Sequence, residues 1–359
     1  MPNARPRIQF DAEGVCNACR FAETKAGIDW AARRRAFEDL VAQYKGRGPY
    51  DCIVPWSGGK DSSTIAHRLK FDFGLNPLLV TFSPLVPNDV GAANREALLR
   101  LGFDSLTVRP NQMVSRRLAR RFLIERGNPK VHWDAVVNAA PLQVAVERRI
   151  PLVFYAEHGE SEYGGRVLSE DHRRVRDLAE VLEHQIGDDP SNWTDDLIAP
   201  RDLVPYLYPP VADVAREGVK ALYFGWFFRW SMLDNWTYIK GVTPFATDPR
   251  GRTEGTFTNF DSLDDRIDSL YYHLQYIKFG FGRATRDACR MIQNGQMTRA
   301  EGLDMARRYD DEFPQAHLAE VLDFLDMDEA TLRSTIDRHR NPEIWVERGN
   351  RWELRHPPR

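Results

Sequence analysis

Between residues 50 and 155, short apolar runs alternate with longer stretches in which apolar residues recur every three or four positions. The runs are 50–55, Leu78–Phe82, Ser105–Val108 and Leu152–Tyr155; the stretches between them are about 62–72, Val90–Leu101 and segments between Gln112 and Arg149. Continuous apolar runs bounded by turn residues read as strands buried on both faces, and the longer period reads as helix. A β-α-β-α-β-α-β order with short connections predicts a parallel sheet with helices on both faces. A fifth strand is expected at Val219–Phe227, after a polar, mostly helical insertion at about 170–217 that Pro200, Pro205, Pro209 and Pro210 break into turns. The expected fold class is therefore α/β, a parallel five-stranded sheet followed by a helical C-terminal region. Such a sheet binds ligands at the carboxyl ends of its strands. Arg229, Asn235 and Lys240 come after the fifth strand and could face such a site.

Residues 1–29 look irregular. Asp29 then caps a helix from Trp30 to about Tyr44, with Phe37, Leu40 and Val41 on one face and Arg33–Arg35 on a solvated face. Further on, a polar loop at 251–261 precedes a helix capped by Asp261 or Ser262, whose stripe of Ile267, Leu270, Leu274 and Ile277 is core. Gly280 and Gly282 interrupt it, and helices continue to about Arg340, one opened by Thr298 with Glu301 at the third helical position. Three regions result: 1–46, 47–240 and 241–359.

Composition narrows the class. The chain has 359 residues, enough for one large domain or two, with 42% hydrophobic and 28% charged residues and a net charge of −3. That balance argues against a large basic nucleic-acid surface. Four cysteines, two of them spaced as Cys16-x-x-Cys19, suit a reducing compartment. The pair is half of a zinc ribbon or two reduced thiols, and the sequence leaves both open. With neither a run of about 18 apolar residues nor a signal-peptide core, no membrane partner is expected, and the cytoplasm is the default.

Chemistry concentrates at predicted strand ends. Trp56-Ser57-Gly58-Gly59-Lys60-Asp61-Ser62-Ser63 follows the first strand and opens a helix. A Gly-Gly turn at a helix N-terminus offers backbone N–H groups and a dipole to an anion, with hydroxyls and one lysine beside them. It is not a Walker loop, because Asp61 stands where Ser or Thr is required. At the end of the fourth strand, Glu157-His158-Gly159-Glu160-Ser161-Glu162-Tyr163-Gly164-Gly165 crowds carboxylates, an aromatic and glycines into one loop, suited either to a magnesium and substrate site or to plain solvation.

Ser-Gly-Gly-x-Asp-Ser resembles the pyrophosphate loop of the ATP pyrophosphatases, which split ATP between its α- and β-phosphates. Together with Met1–Pro6, Gly14–Cys19, the Glu157–Gly165 loop, Thr253–Asp261 and Lys278–Thr285, the chain resembles the N-acetyl sugar amidotransferases of bacterial surface-polysaccharide and nonulosonic-acid pathways. The resemblance implies ATP and Mg²⁺ as cofactors. Ser57, Gly58, Gly59, Lys60, Asp61, Ser62 and Ser63 would hold pyrophosphate, and Val80, Thr81, Phe82 and Ser83 would hold adenosine. Lys60, Asp61 and Glu157 would be catalytic, with Asp61 and Glu157 on Mg²⁺. Glu162, Tyr163, Gly164, Gly165, Asn259, Lys278 and Arg283 would bind the nucleotide-linked acetamido sugar. Ammonia would come from a separate glutaminase subunit, since Met1-Pro2 lacks the terminal cysteine of a fused one, and a homo-oligomer is compatible. The family usually has another Cys-x-x-Cys before the segment matching Met1–Pro6, so zinc on Cys16 and Cys19 would have half its expected ligands. The competing class is a tRNA-modifying enzyme of the same loop type, adding sulfur or an amine.

Overall fold

The computed structural model describes residues 1–167, 169–349 and 351–357. Its centre is a parallel sheet of five strands: β1 (Cys52–Pro55), β2 (Pro77–Phe82), β3 (Asp104–Val108), β4 (Leu152–Tyr155) and β5 (Lys220–Tyr223), in the order β3-β2-β1-β4-β5. Ile53 lies in register with Leu78 on one side and Val153 on the other, which puts β1 in the middle. Strand order reverses there, so the crevice at the carboxyl end of β1 is the natural ligand position.

The apolar runs divide cleanly between the two faces. Cys52, Val54, Leu79 and Phe154 join Phe37, Ile65 and Leu69 from the helices Trp30–Ala42 and Lys60–Phe71. Ile53, Leu78, Val80 and Val153 point the other way, onto Leu142 and Ala145 of the helix Val131–Arg148. A third cluster joins the helix Gln112–Arg126 to Trp193 and Tyr206 of the insertion and to Leu270, Leu274, Leu325 and Ile336 of the C-terminal helices.

Several sequence expectations need correction. The fifth strand stops at Tyr223, and Phe224–Phe227 forms a helical turn whose rings pack around Phe37. The N-terminal segment is not wholly irregular, because Asn17–Thr24 is a helix. Arg33 is not solvated: its guanidinium sits 4.3 Å from the Trp226 ring centroid and donates to the Trp226 carbonyl. Beyond the helix Glu329–Arg338, Trp345–Arg348 and Arg351–Leu354 form an antiparallel hairpin that the residue pattern had not signalled. Most consequentially, the helix expected at Asp261 or Ser262 begins at Asp268. That releases Asp261 from any capping duty.

Candidate functional site

The turn after β1 is shaped by its own side chains. Gly58 has φ +90°, and a Cβ there would lie 2.4 Å from Cγ of Arg95. The position is therefore one that glycine alone adopts without strain. Ser57 accepts from the Gly59 amide through its Oγ at 3.1 Å, and its own amide donates to Ser62 Oγ at 3.4 Å. The Trp56 indole donates to Ser63 Oγ at 3.0 Å, while Arg95 donates to the Ser57 carbonyl at 3.1 Å. These bonds hold the turn open at the head of the Lys60–Phe71 helix.

Lys60 is the hub of the polar network around this turn. Only 1% of its surface is exposed, so its ammonium needs partners inside the protein. It donates to Asp61 Oδ2 at 2.7 Å and to Asp261 Oδ1 at 2.9 Å. Asn235 donates to the other oxygen of Asp61 at 2.8 Å. Asp261 is held in turn: Arg283, itself 2% exposed, donates to its carbonyl at 2.7 Å, and Arg290 Nη1 lies 3.7 Å from its Oδ2. The other Arg290 nitrogen donates to Glu157 Oε1 at 2.9 Å, and the Tyr163 hydroxyl donates to the same oxygen. A continuous polar chain thus links the loop after β1, the end of β4 and the C-terminal region.

The charges are tuned by this arrangement. Burial works against the Lys60 ammonium, but Asp261 and Asp61 more than offset it and hold the group above the usual lysine range. Burial also pushes the Asp261 carboxyl up, and Lys60 and Arg283 outweigh it, leaving Asp261 well below the ordinary carboxylate range. In Asp61, burial prevails, with Glu157 and Asp261 adding repulsion, and its carboxyl is pushed up. Carboxylates so close ionise unequally.

The remaining candidates are spread more widely. Val80, Thr81, Phe82 and Ser83 are buried at the end of β2; the Val80 carbonyl accepts from Trp56, and the Ser83 amide donates to Val108. Glu162 forms an ion pair with Lys25 at 2.6 Å. The Gly164 carbonyl accepts from Arg5 and the Gly165 carbonyl from Asn17, so both glycines pack against the N-terminal segment. The Asn259 carbonyl accepts from the Asp248 amide inside the 248–260 loop. Lys278 donates to the Arg126 carbonyl at 2.7 Å. Cys16 is buried, and the hydrogen bond from Cys19 draws its thiol down to about 5. Among the described residues no group of three or more His, Cys, Asp or Glu side chains is arranged to hold a metal ion.

Sequence reasoning missed the site roles of Asp261, Arg290 and Arg95, which depend on contacts across 201, 133 and 38 positions. It also missed Arg5, Arg7 and Arg286. These line a cavity of about 540 Å³ that Tyr163 and Lys278 share. No described helix is long and apolar enough to cross a membrane.

No curated protein matches the chain. Among solved structures, it is similar to a predicted subunit of a tRNA methyltransferase from Methanocaldococcus jannaschii, with 16% identity, a TM-score of 0.25, and coverage of 47% of this chain and 75% of that one. The site-bearing C-terminal part gives a more specific match: residues 254–356, which supply Asp261, Arg283 and Arg290, fit the family model of the C-terminal domain of LPS biosynthesis proteins of the WbpG-like kind.

Proposed function

We propose that the chain is an ATP-dependent amidotransferase acting on a nucleotide-linked N-acetyl sugar in surface-polysaccharide synthesis. One observation carries the reading: the buried lysine of a pyrophosphate-type loop is clamped by Asp261, which belongs to the region matching an LPS biosynthesis domain. The loop supports ATP cleavage, and the matched region supports a polysaccharide precursor as the second substrate.

The reaction balances as two displacements. The acetamido oxygen attacks the α-phosphorus of ATP and pyrophosphate leaves, giving an O-adenylyl imidate. Ammonia then adds to the imidate carbon, AMP departs with that oxygen, and loss of a proton leaves an acetamidine. Phosphoryl transfer of this kind depends on positioning and charge neutralisation, which is what the turn amides and Lys60 offer to a departing pyrophosphate. Arg95 steadies the turn from behind through the Ser57 carbonyl.

Asp61 and Glu157 are oxygen donors of the type magnesium takes, and each already faces a cation of the chain, Lys60 or Arg290. They fit an ion that is shared with substrate phosphates rather than enclosed by an all-protein cage. When bound, that ion would neutralise phosphate charge.

The test incubates the purified protein with ATP, ammonium and a panel of nucleotide-linked diacetamido sugars. AMP and pyrophosphate should appear only with a suitable sugar, whose mass shows O replaced by NH. AMP release driven by tRNA instead of sugar would overturn the reading in favour of nucleic-acid modification. Turnover with glutamine as the sole nitrogen source would remove the separate glutaminase from it.

A further inference from the structure

The cavity beyond Tyr163 carries an excess of positive charge that the loop chemistry does not use. Arg5, Arg7, Lys278 and Arg286 line it, facing the carboxylates of Asp134 and Glu160. Glu160 is spoken for: Arg7 donates to its two oxygens at 2.9 and 3.0 Å. Arg286 also feels Asp287 and Asp261, which lie outside the lining, so the cavity wall itself sets four cations against two carboxylates. Lys278 donates to a carbonyl, and Arg286, whose Nη2 donates to the Tyr272 hydroxyl at 3.4 Å, keeps a buried Nε with no hydrogen-bond partner among the described residues. Burial, together with the neighbouring Arg286 and Arg7 and against the pull of Glu160, draws the Arg5 guanidinium down to about 10.

A half-buried wall with such an excess of cations suits an anion. The geometry says where that anion sits. The Tyr163 ring is flanked by Arg290 at 4.3 Å, Arg286 at 5.8 Å and Arg5 at 5.9 Å, while its hydroxyl is on Glu157. Tyr163 is therefore the partition between the cationic cavity and the Lys60 cluster. Resting on the amidotransferase reading, we infer that Arg5, Lys278 and Arg286 form the diphosphate subsite of the sugar nucleotide, with the sugar passing Tyr163 toward Glu157 and the nucleoside held on the far side.

Planar guanidinium groups suit phosphate oxygens, and a diphosphate brings about the two charges by which the four basic residues of the lining exceed its two carboxylates. The volume of about 540 Å³ lies within the range of small-molecule sites. Asp134 then opposes binding. Neutralising it should strengthen the complex, an effect that misfolding cannot imitate.

The experiment is calorimetric titration of the full chain with UDP-N-acetylglucosamine, UDP and uridine, alongside fluorescent-ATP binding. The first two should bind and uridine should not. Arg286→Met and Arg5→Gln should each weaken the UDP ligands at least tenfold while leaving ATP affinity within twofold. Asp134→Asn should tighten them severalfold at pH 8. Equal affinity in wild type and Arg286→Met, or weaker binding in Asp134→Asn, would overturn the assignment. Because the readout is binding, the two readings fail separately. An intact subsite without AMP formation removes the amidotransfer reaction, whereas sugar-dependent AMP formation indifferent to Arg5 and Arg286 removes the subsite.

Discussion

Replacing Asp261 by asparagine tests the clamp on Lys60 directly. The ammonium lies 2.9 Å from Asp261 and 2.7 Å from Asp61, in a place where its own side chain has no solvent exposure. At an effective dielectric of about 20, one unit charge pair at that separation is worth about 6 kcal/mol. The net loss is smaller for three reasons. Asparagine still offers an oxygen acceptor, Asp61 remains in place, and Asp61 ionises more readily once a like-charged neighbour is gone. The expected destabilisation is about 1.5–3 kcal/mol, the range for a hydrogen bond to a charged group.

The pH dependence derives from Asp261 being held below its ordinary range by Lys60 and Arg283 against the cost of burial. Its contribution is complete above the unfolded-state value of about 4 and fades as the pH falls through the lower native value. Urea denaturation of wild type and Asp261→Asn should give a constant difference between pH 6 and 8 that narrows below about pH 4. Equal midpoints at pH 7, or a difference that persists unchanged into acid, would refute the clamp as a source of stability.

Two other substitutions probe the turn and the cavity. Gly58→Ala forces a side chain into φ +90° and against Arg95, so it should cost about 1–3 kcal/mol in urea and weaken ATP binding, which fluorescence titration measures. The Asp134 carboxyl, pushed up by burial to about 7, favours the folded state most when protonated. Its contribution is full below about pH 4 and lost as pH rises through 7, so Asp134→Asn should gain on the order of 2–4 kcal/mol over wild type at pH 8 and nothing near pH 4, as denaturation at the two pH values would show.

The parts of the fold governed by local pattern were legible in the residues. The apolar run Leu152–Tyr155 is a strand with those bounds, and the Gly-Gly turn sits where strand meets helix. Thr298 caps its helix with Glu301 reaching back, as the spacing implied. Errors arose where tertiary contact outweighed local signal. Phe224–Phe227 has strand-like composition, but its rings are drawn around Phe37, and the backbone turns to put them there. Asp261 has the composition of a helix cap, yet a buried ammonium 201 residues earlier is the stronger partner for its charge. The arginines at 5, 286 and 290 had no local signature, since an exposed arginine and one facing a cavity look alike in sequence. Asn235 was readable as a site candidate because it comes after the fifth strand, and it does reach Asp61.

The ion pair between Lys60 and Asp261 also bears on how proteins of this architecture can be recombined. The matched C-terminal region starts at 254, seven positions before Asp261. A chimera joined at that boundary would exchange not a detachable module but one jaw of the vice that grips Lys60, with Arg283 and Arg290 that brace it. The loop after β1 and the C-terminal region are thereby mechanically geared to each other. Grafting a related C-terminal region onto this scaffold requires carrying those three side chains across the splice, or redesigning the loop after β1 to match the incoming set.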